Sequence, residues 1–115
     1  MKKYPIELLA PAKKLEAAMA AIDYGADAIY MGAARFGARR AAGNSTEDIA
    51  RAVEYAHQYG VRVHVALNTL LFDDELKEAE ATARQLIGVG IDALICAAIA
   101  FIPGVRGFAR RMAAR

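Results

Sequence analysis

Apolar residues recur at helical spacing in three segments of the chain, and each segment ends at a glycine. The first stripe is Leu15, Met19 and Ile22, the second is Ile49, Val53 and Ala56, and the third is Leu76, Ala79, Ala83, Leu86 and Ile87. This period of three to four residues is typical of amphipathic helices. Glycine follows each stripe, as Gly25, Gly60 and Gly90, and can adopt the left-handed conformation that ends a helix. The pattern predicts helices that end at Tyr24 and that cover about 46–59 and 74–89.

A short apolar segment follows each of these glycines, reading GADAIY, GVRVHV and GIDALI. The glycines lie 35 and 30 residues apart, which suits a repeated unit of one strand and one helix. A further apolar segment precedes the first helix, so the predicted strands are 6–10, 26–31, 61–68 and 91–95. Strict alternation of strands and helices favours an α/β fold with a parallel sheet and right-handed connections.

The third strand carries different residues on its two faces. One face holds Val61, Val63, Val65 and Leu67, and the other holds Arg62, His64, Ala66 and Asn68. Central strands of a doubly wound sheet are usually apolar on both faces. The inner face of a barrel accepts polar residues near its mouth. We therefore favour a partial (β/α) barrel, a TIM-barrel-like half of about four strands, although an edge strand that faces solvent would show the same pattern.

Composition indicates one globular domain, with 115 residues of which 57% are hydrophobic. The longest apolar run is ten residues, 93–102, which is too short for a membrane span, and no signal-peptide pattern is present. The single cysteine, Cys96, excludes a disulfide within the chain and suits a cytoplasmic protein. The net charge of +2 is small, but four arginines follow the last acid, Asp92. This basic tail either binds anions or is an ordinary helix end.

The loop after the second strand is the most informative candidate site. Residues 32–44 include Arg35, Arg39 and Arg40 without an acid, and arginine suits carboxylate or phosphate groups. The loop therefore either binds an anion at the mouth or pairs its arginines with helix carboxylates. Neither of the glycine-rich nucleotide-binding patterns is present. Asn44 ends this loop.

Two further polar residues belong to the third strand. Asn68 is expected to point into the mouth, and His64 is either a general base or a packed, hydrogen-bonded residue. The spacing assembles no nucleophile with a base and no metal-ligand set, so we assign no catalytic residue and no metal. The predicted substrate-binding residues are Arg35, Arg39, Asn44, His64 and Asn68.

Five segments of the chain resemble peptidase family U32. They are ELLAPA at 7–12, YGADAIYMG at 24–32, FGAR at 36–39, AGN at 42–44 and VALNTLLFDD at 65–74. The resemblance implies a chain related to collagenase-like peptidases and to proteins associated with hydroxylation of RNA bases or of ubiquinone precursors. Some of those relatives use an iron–sulfur cluster, but Cys96 alone cannot hold a four-cysteine cluster, so we expect no cofactor in this chain.

The resemblance ends near residue 95. We expect residues 1–95 to be the N-terminal half of a U32-type barrel. Residues 96–115 are then a divergent basic tail, produced either by a truncation or frameshift or by a genuine fourth helix broken at Pro103.

Several functions stay open at this point. The chain is interpreted as a fragment of a U32-type peptidase that is inactive alone. Alternatives are part of an RNA- or quinone-precursor hydroxylation protein, a half-barrel that binds an anionic ligand as a dimer, and a nucleic-acid binder that uses the arginines. Unpaired strands at the two edges of the sheet would favour self-association. The sequence identifies neither the substrate nor the catalytic residues.

Overall fold

The computed structural model of the chain describes residues 7–33, 43–67 and 73–96. Four parallel strands lie side by side in the order β1-β2-β3-β4. The strands are β1 (Leu9–Pro11), β2 (Ala28–Gly32), β3 (Arg62–Leu67) and β4 (Ala93–Cys96), and the helices are α1 (Leu15–Asp23), α2 (Thr46–Gln58) and α3 (Asp73–Gly88). The predicted alternation of strands and helices is therefore confirmed, in one open sheet that is consistent with a partial barrel.

The helices lie on one face of the sheet. Contacts join α1 to α2 and α2 to α3, as expected when neighbouring parallel strands follow each other along the chain through right-handed connections. The largest fully buried side chains lie between the strands and the helices, and they are Ile29, Met31, Ile49, Val63, Val65 and Leu86. The opposite face carries Tyr30 and His64, both half-buried, and Arg62, which is exposed. This division of β3 into an apolar and a polar face is the one that the sequence predicts.

Strands β2, β3 and β4 begin one or two residues later than predicted. The reason is that the first residue of each predicted strand is still hydrogen-bonded to the helix before it. Gly25 donates its N–H to the Ile22 carbonyl, and the N–H of Ala26 reaches back to the carbonyl of Ala21. These two hydrogen bonds form a Schellman motif, and Gly25 adopts φ +96°. The same pair of bonds recurs at Gly60 and at Gly90. The residue after each glycine is thus still bonded to its helix and cannot join the sheet.

Two aspartates, each directly before a strand, accept hydrogen bonds from the backbone of the neighbouring chain segment at the end of the sheet where the strands begin. Asp27 Oδ2 accepts a hydrogen bond from the Leu8 N–H at 2.7 Å, and Asp92 Oδ2 accepts one from the Val63 N–H at 2.7 Å. Asp92 Oδ2 also lies 2.8 Å from His57 Nε2 on α2. His57 therefore has a structural partner at the end of the sheet that is opposite the predicted mouth.

None of the helices that the structure describes combines the length and the apolar character needed to cross a membrane.

Candidate functional site

A cleft of about 430 Å³ opens where β1 and β2 end, at the edge where parallel α/β folds bind their ligands. The lining residues come from the ends of these two strands, from the loop before α1 and from the approach to α2. They are Pro11, Ala12, Lys13, Tyr30, Gly32, Gly43 and Asn44. The cleft therefore depends on two successive strand–helix units, and we take it as the candidate site.

Asn44 holds the two units together at the cleft. Its side chain is 5% exposed, and its Nδ2 donates to the Lys13 carbonyl at 3.1 Å and to the Gly32 carbonyl at 2.8 Å. Its backbone N–H also donates to the Gly32 carbonyl, at 2.9 Å. A side-chain amide is the natural choice here because its NH₂ group supplies two donors. Asn44 thus fixes the position of Lys13 relative to the end of β2.

Helix α2 begins directly after this contact. Ser45 is its N-cap, and the Ser45 hydroxyl accepts a hydrogen bond from the Asp48 N–H at 3.1 Å. Glu47 and Asp48 lie in the first turn, where their negative charges suit the positive end of the helix dipole. The cap sets where the helix starts and so keeps Asn44 next to the sheet.

The floor of the cleft is formed by neighbouring strands. Pro11 of β1 and Tyr30 of β2 lie opposite each other in the parallel register, and the Ala12 N–H donates to the Tyr30 carbonyl at 2.8 Å. Gly32 lies on the same face two residues further on. A Cβ atom built at Gly32 would meet nothing within 4 Å, so the space above this residue is open. Glycine therefore leaves this part of the cleft open.

Lys13 gives the cleft its charge. The side chain is exposed, and it forms no ion pair with any other residue in the described ranges. In contrast, Arg62 on the same face of the sheet is paired with Glu7, with 3.6 Å between Nη2 and Oε2. Lys13 therefore lines the cleft as a cation without a carboxylate partner among the described residues, and a positive charge beside the cleft favours an anionic ligand.

The predicted site residues divide between described and undescribed parts of the chain. Asn44 lines the cleft, and His64 lies on the open face of β3, in register with Tyr30 of β2 and Ala93 of β4. Arg35, Arg39 and Asn68 lie outside the described residues, so their role stays a prediction.

The list of predicted site residues contains neither Lys13 nor Tyr30, and both line the cleft. The available signal was their position at the carboxyl ends of the first two strands. Within the described ranges, no group of three side chains has the composition and proximity to hold a metal ion.

Comparison with known proteins places the chain among a defined set of relatives. The model of "Peptidase family U32" matches residues 13–113. The chain is 47% identical over 95 residues to the 23S rRNA 5-hydroxycytidine C2501 synthase of Escherichia coli, which covers 83% of this chain and 14% of that protein. It is 37% identical to the tRNA hydroxylation protein P1 of Bacillus subtilis, over 79% of the chain and 22% of the relative.

A relative with a protease name also matches. The chain is 36% identical to an uncharacterized protease of Methanocaldococcus jannaschii, over 78% of the chain and 22% of that protein. The chain thus spans less than a quarter of the length of each of these three relatives.

Proposed function

Because the chain belongs to peptidase family U32, we propose that it takes part in the hydroxylation of bases in RNA, as a substrate-facing segment of a larger barrel. The observation that carries this proposal is the 47% identity to an enzyme named for making 5-hydroxycytidine in 23S rRNA. The tRNA hydroxylation protein of B. subtilis supports the same activity class at 37% identity. We place this activity in the cytoplasm, where its RNA substrate is found.

The geometry of the cleft supports an RNA substrate. Three features line the carboxyl edge of the sheet: a lysine that forms no ion pair within the described ranges, an aromatic side chain and an open glycine position. RNA bases are commonly held by stacking on aromatic side chains, and phosphates by cations. Arg35, Arg39 and Asn68 stay predicted phosphate or base contacts, and His64 lies on the open face of β3.

The redox chemistry of a hydroxylation needs a group that this chain does not hold by itself. An iron–sulfur cluster is bound by four cysteine thiolates, and the sequence contains one cysteine, Cys96. The residues present do not fit such a cluster. The proposal is therefore limited to what this chain contributes, which is the positioning of the RNA.

Peptidase activity is the second candidate function. It is supported by the description of the family and by the 36% identical protease of M. jannaschii. The described side chains do not favour it, because the histidine hydrogen bond that they form is that of His57 with Asp92, at the end of the sheet away from the cleft. Neither residue is a serine or cysteine nucleophile.

A segment exchange tests the proposed function. The region of the E. coli 23S rRNA enzyme that matches this chain over 95 residues is replaced by the corresponding residues of this chain, giving the exchange protein. It is produced in cells that lack their own synthase, and 5-hydroxycytidine in 23S rRNA is measured by mass spectrometry. We expect the modification to return, with the unaltered synthase and an empty vector as controls. A folded, abundant exchange protein that leaves the cytidine unmodified, or that degrades gelatin instead, would contradict the proposal.

A further inference from the structure

We propose that the cleft between the ends of β1 and β2 binds a single nucleotide of an RNA, with the base on the Pro11–Tyr30 floor and the phosphate at Lys13. The inference rests on the proposed function and assigns the place where one nucleotide of the RNA is held. The base corresponds to the floor formed by Pro11 and Tyr30, and the phosphate corresponds to the rim at Lys13. The open space beside Gly32 leaves room for the nucleotide as a whole.

The floor suits the flat face of a base. Pro11 and Tyr30 are paired in register on adjacent strands, and both line the cleft. The hydrogen bond from the Ala12 N–H to the Tyr30 carbonyl keeps the two strands together directly beside this pair. Aromatic and apolar surfaces of this kind bind bases by stacking, with little dependence on base identity.

The rim suits a phosphate. Lys13 is held at the rim by its own backbone, because its carbonyl accepts a hydrogen bond from the buried Asn44 amide. Its side chain remains exposed and forms no ion pair with a described residue. An exposed lysine binds an isolated anion weakly because both charges stay hydrated. Phosphate binding at Lys13 therefore becomes effective only when the same ligand also contacts the floor.

The open space suits one nucleotide. The volume of about 430 Å³ lies within the usual range of small-molecule pockets. Gly32 keeps the cleft free because no atom lies within 4 Å of its absent Cβ. Its φ is not positive, so a larger residue can be placed there without backbone strain. Gly32 is therefore a position at which the cleft can be filled while the fold is retained.

The binding test is an NMR titration of the chain with three probes: cytidine 5′-monophosphate, cytidine and inorganic phosphate. We expect the monophosphate to bind most tightly and to shift the amide signals of residues 11–13, 30–32 and 43–44. Cytidine should shift the same residues more weakly, and inorganic phosphate alone should bind weakly or not at all. Equal binding of cytidine and its monophosphate, or shifts confined to another surface, would overturn the inference.

Substitution of Lys13 tests the phosphate contact separately from the stacking of the base. Lys13→Gln should weaken binding of the monophosphate about fivefold and leave cytidine unchanged. The matched control is Lys14→Gln, because Lys14 is also exposed and precedes α1 but does not line the cleft. Equal effects of the two substitutions would contradict the assignment of Lys13.

A second pair of variants tests whether binding needs the open space beside Gly32. Gly32→Val should abolish binding of cytidine and of its monophosphate. Gly88→Ala is the control, because a Cβ there also meets nothing within 4 Å and the residue lies at the end of α3, away from the cleft. A dispersed NMR spectrum of each variant shows that it is folded. Retention of binding in folded Gly32→Val would contradict the inference.

The two experiments test the nucleotide site and the RNA-hydroxylation activity separately. If the exchange protein hydroxylates 23S rRNA but the chain binds no cytidine monophosphate, the nucleotide site is wrong and the RNA-hydroxylation proposal stands. If the exchange protein is inactive while the cleft binds the monophosphate with the predicted dependence on Lys13, the site stands and the activity is wrong.

Discussion

Tyr55 shows how a single side-chain contact joins two helices. The Tyr55 hydroxyl on α2 donates a hydrogen bond to Asp23 Oδ1 at the end of α1, and its ring lies 5.3 Å from that of Tyr59. The hydrogen bond to Asp23 is the main reason that the pKa of Tyr55 is raised from 10.0 to about 12. The carboxylate accepts from the neutral phenol and repels the phenolate, so the protonated form is favoured.

This raised pKa predicts how stability changes at alkaline pH. In the unfolded chain Tyr55 loses its proton near pH 10, whereas in the folded chain it keeps the proton until about pH 12. The unfolded state therefore binds fewer protons between these values, and stability falls as the pH rises through this window. We expect urea unfolding midpoints to show the additional loss in the native chain and not in Tyr55→Phe.

The titration of Tyr55 can also be followed directly. Tyrosinate absorbance should show one late-titrating phenol that is absent from Tyr55→Phe. In Asp23→Asn this phenol should return toward the ordinary pKa. An unchanged late titration in Asp23→Asn would show that the Asp23 contact is not its cause.

At the scale of single residues, the sequence predicted Asn44 as a site residue but did not predict what its amide does. Its position at the end of the arginine-containing loop 32–44 suggested contact with an anion. In the structure the Nδ2 group is occupied by the Lys13 and Gly32 carbonyls. Such contacts span 31 and 12 residues, and they depend on the final packing of two strand–helix units. No local pattern encodes them.

At the scale of elements, the Asn44 amide connects the β1–α1 and β2–α2 units, and its removal tests that connection. Asn44→Ala removes the side-chain donors of two part-buried hydrogen bonds, to the carbonyls of Lys13 and Gly32, and should lower the free energy of unfolding by about 1–3 kcal/mol. Asn44→Asp should be more damaging although it is nearly isosteric, because a carboxylate oxygen would face the carbonyls of Lys13 and Gly32. Urea unfolding of both variants measures the difference.

The control for this prediction is Ser45→Ala, which removes the adjacent N-cap of α2 without touching either carbonyl. Loss of a cap typically costs about 1 kcal/mol. If Asn44→Asp is as stable as the native chain, Asn44 does not connect the two units in the way described.

The sequence predicted which segments are helices and which are strands more accurately than it predicted where each strand begins. The three glycine-terminated helices follow from periodicity and from the left-handed conformation at Gly25, Gly60 and Gly90. The exact strand starts were not predictable, because the residue after each glycine can extend the strand or close a Schellman motif. The structure shows the second outcome in all three units. Sequence spacing alone does not distinguish a backbone N–H that bonds to its own helix from one that bonds to the next strand.

At the scale of the whole molecule, the two ends of the sheet differ in chemistry. The end where strands begin contains the aspartate contacts and the exposed rings of Tyr24 and Tyr59, which are 89% and 62% exposed. The end where strands finish contains the cleft with Lys13. The polar face of β3 indicated a barrel mouth from the sequence alone. The substrate was not predictable, because no residue pattern in the sequence is specific to one ligand.

The most direct test of the account is to map where RNA touches this segment. The exchange protein is bound to 23S rRNA, irradiated with ultraviolet light, and its cross-linked peptides are identified by mass spectrometry. We predict cross-links within residues 11–13, 30–32 and 43–44, although Tyr24 and Tyr59 are far more accessible. Cross-links confined to Tyr24 and Tyr59, at the opposite end of the sheet, would contradict the claim that this segment presents its strand ends to RNA.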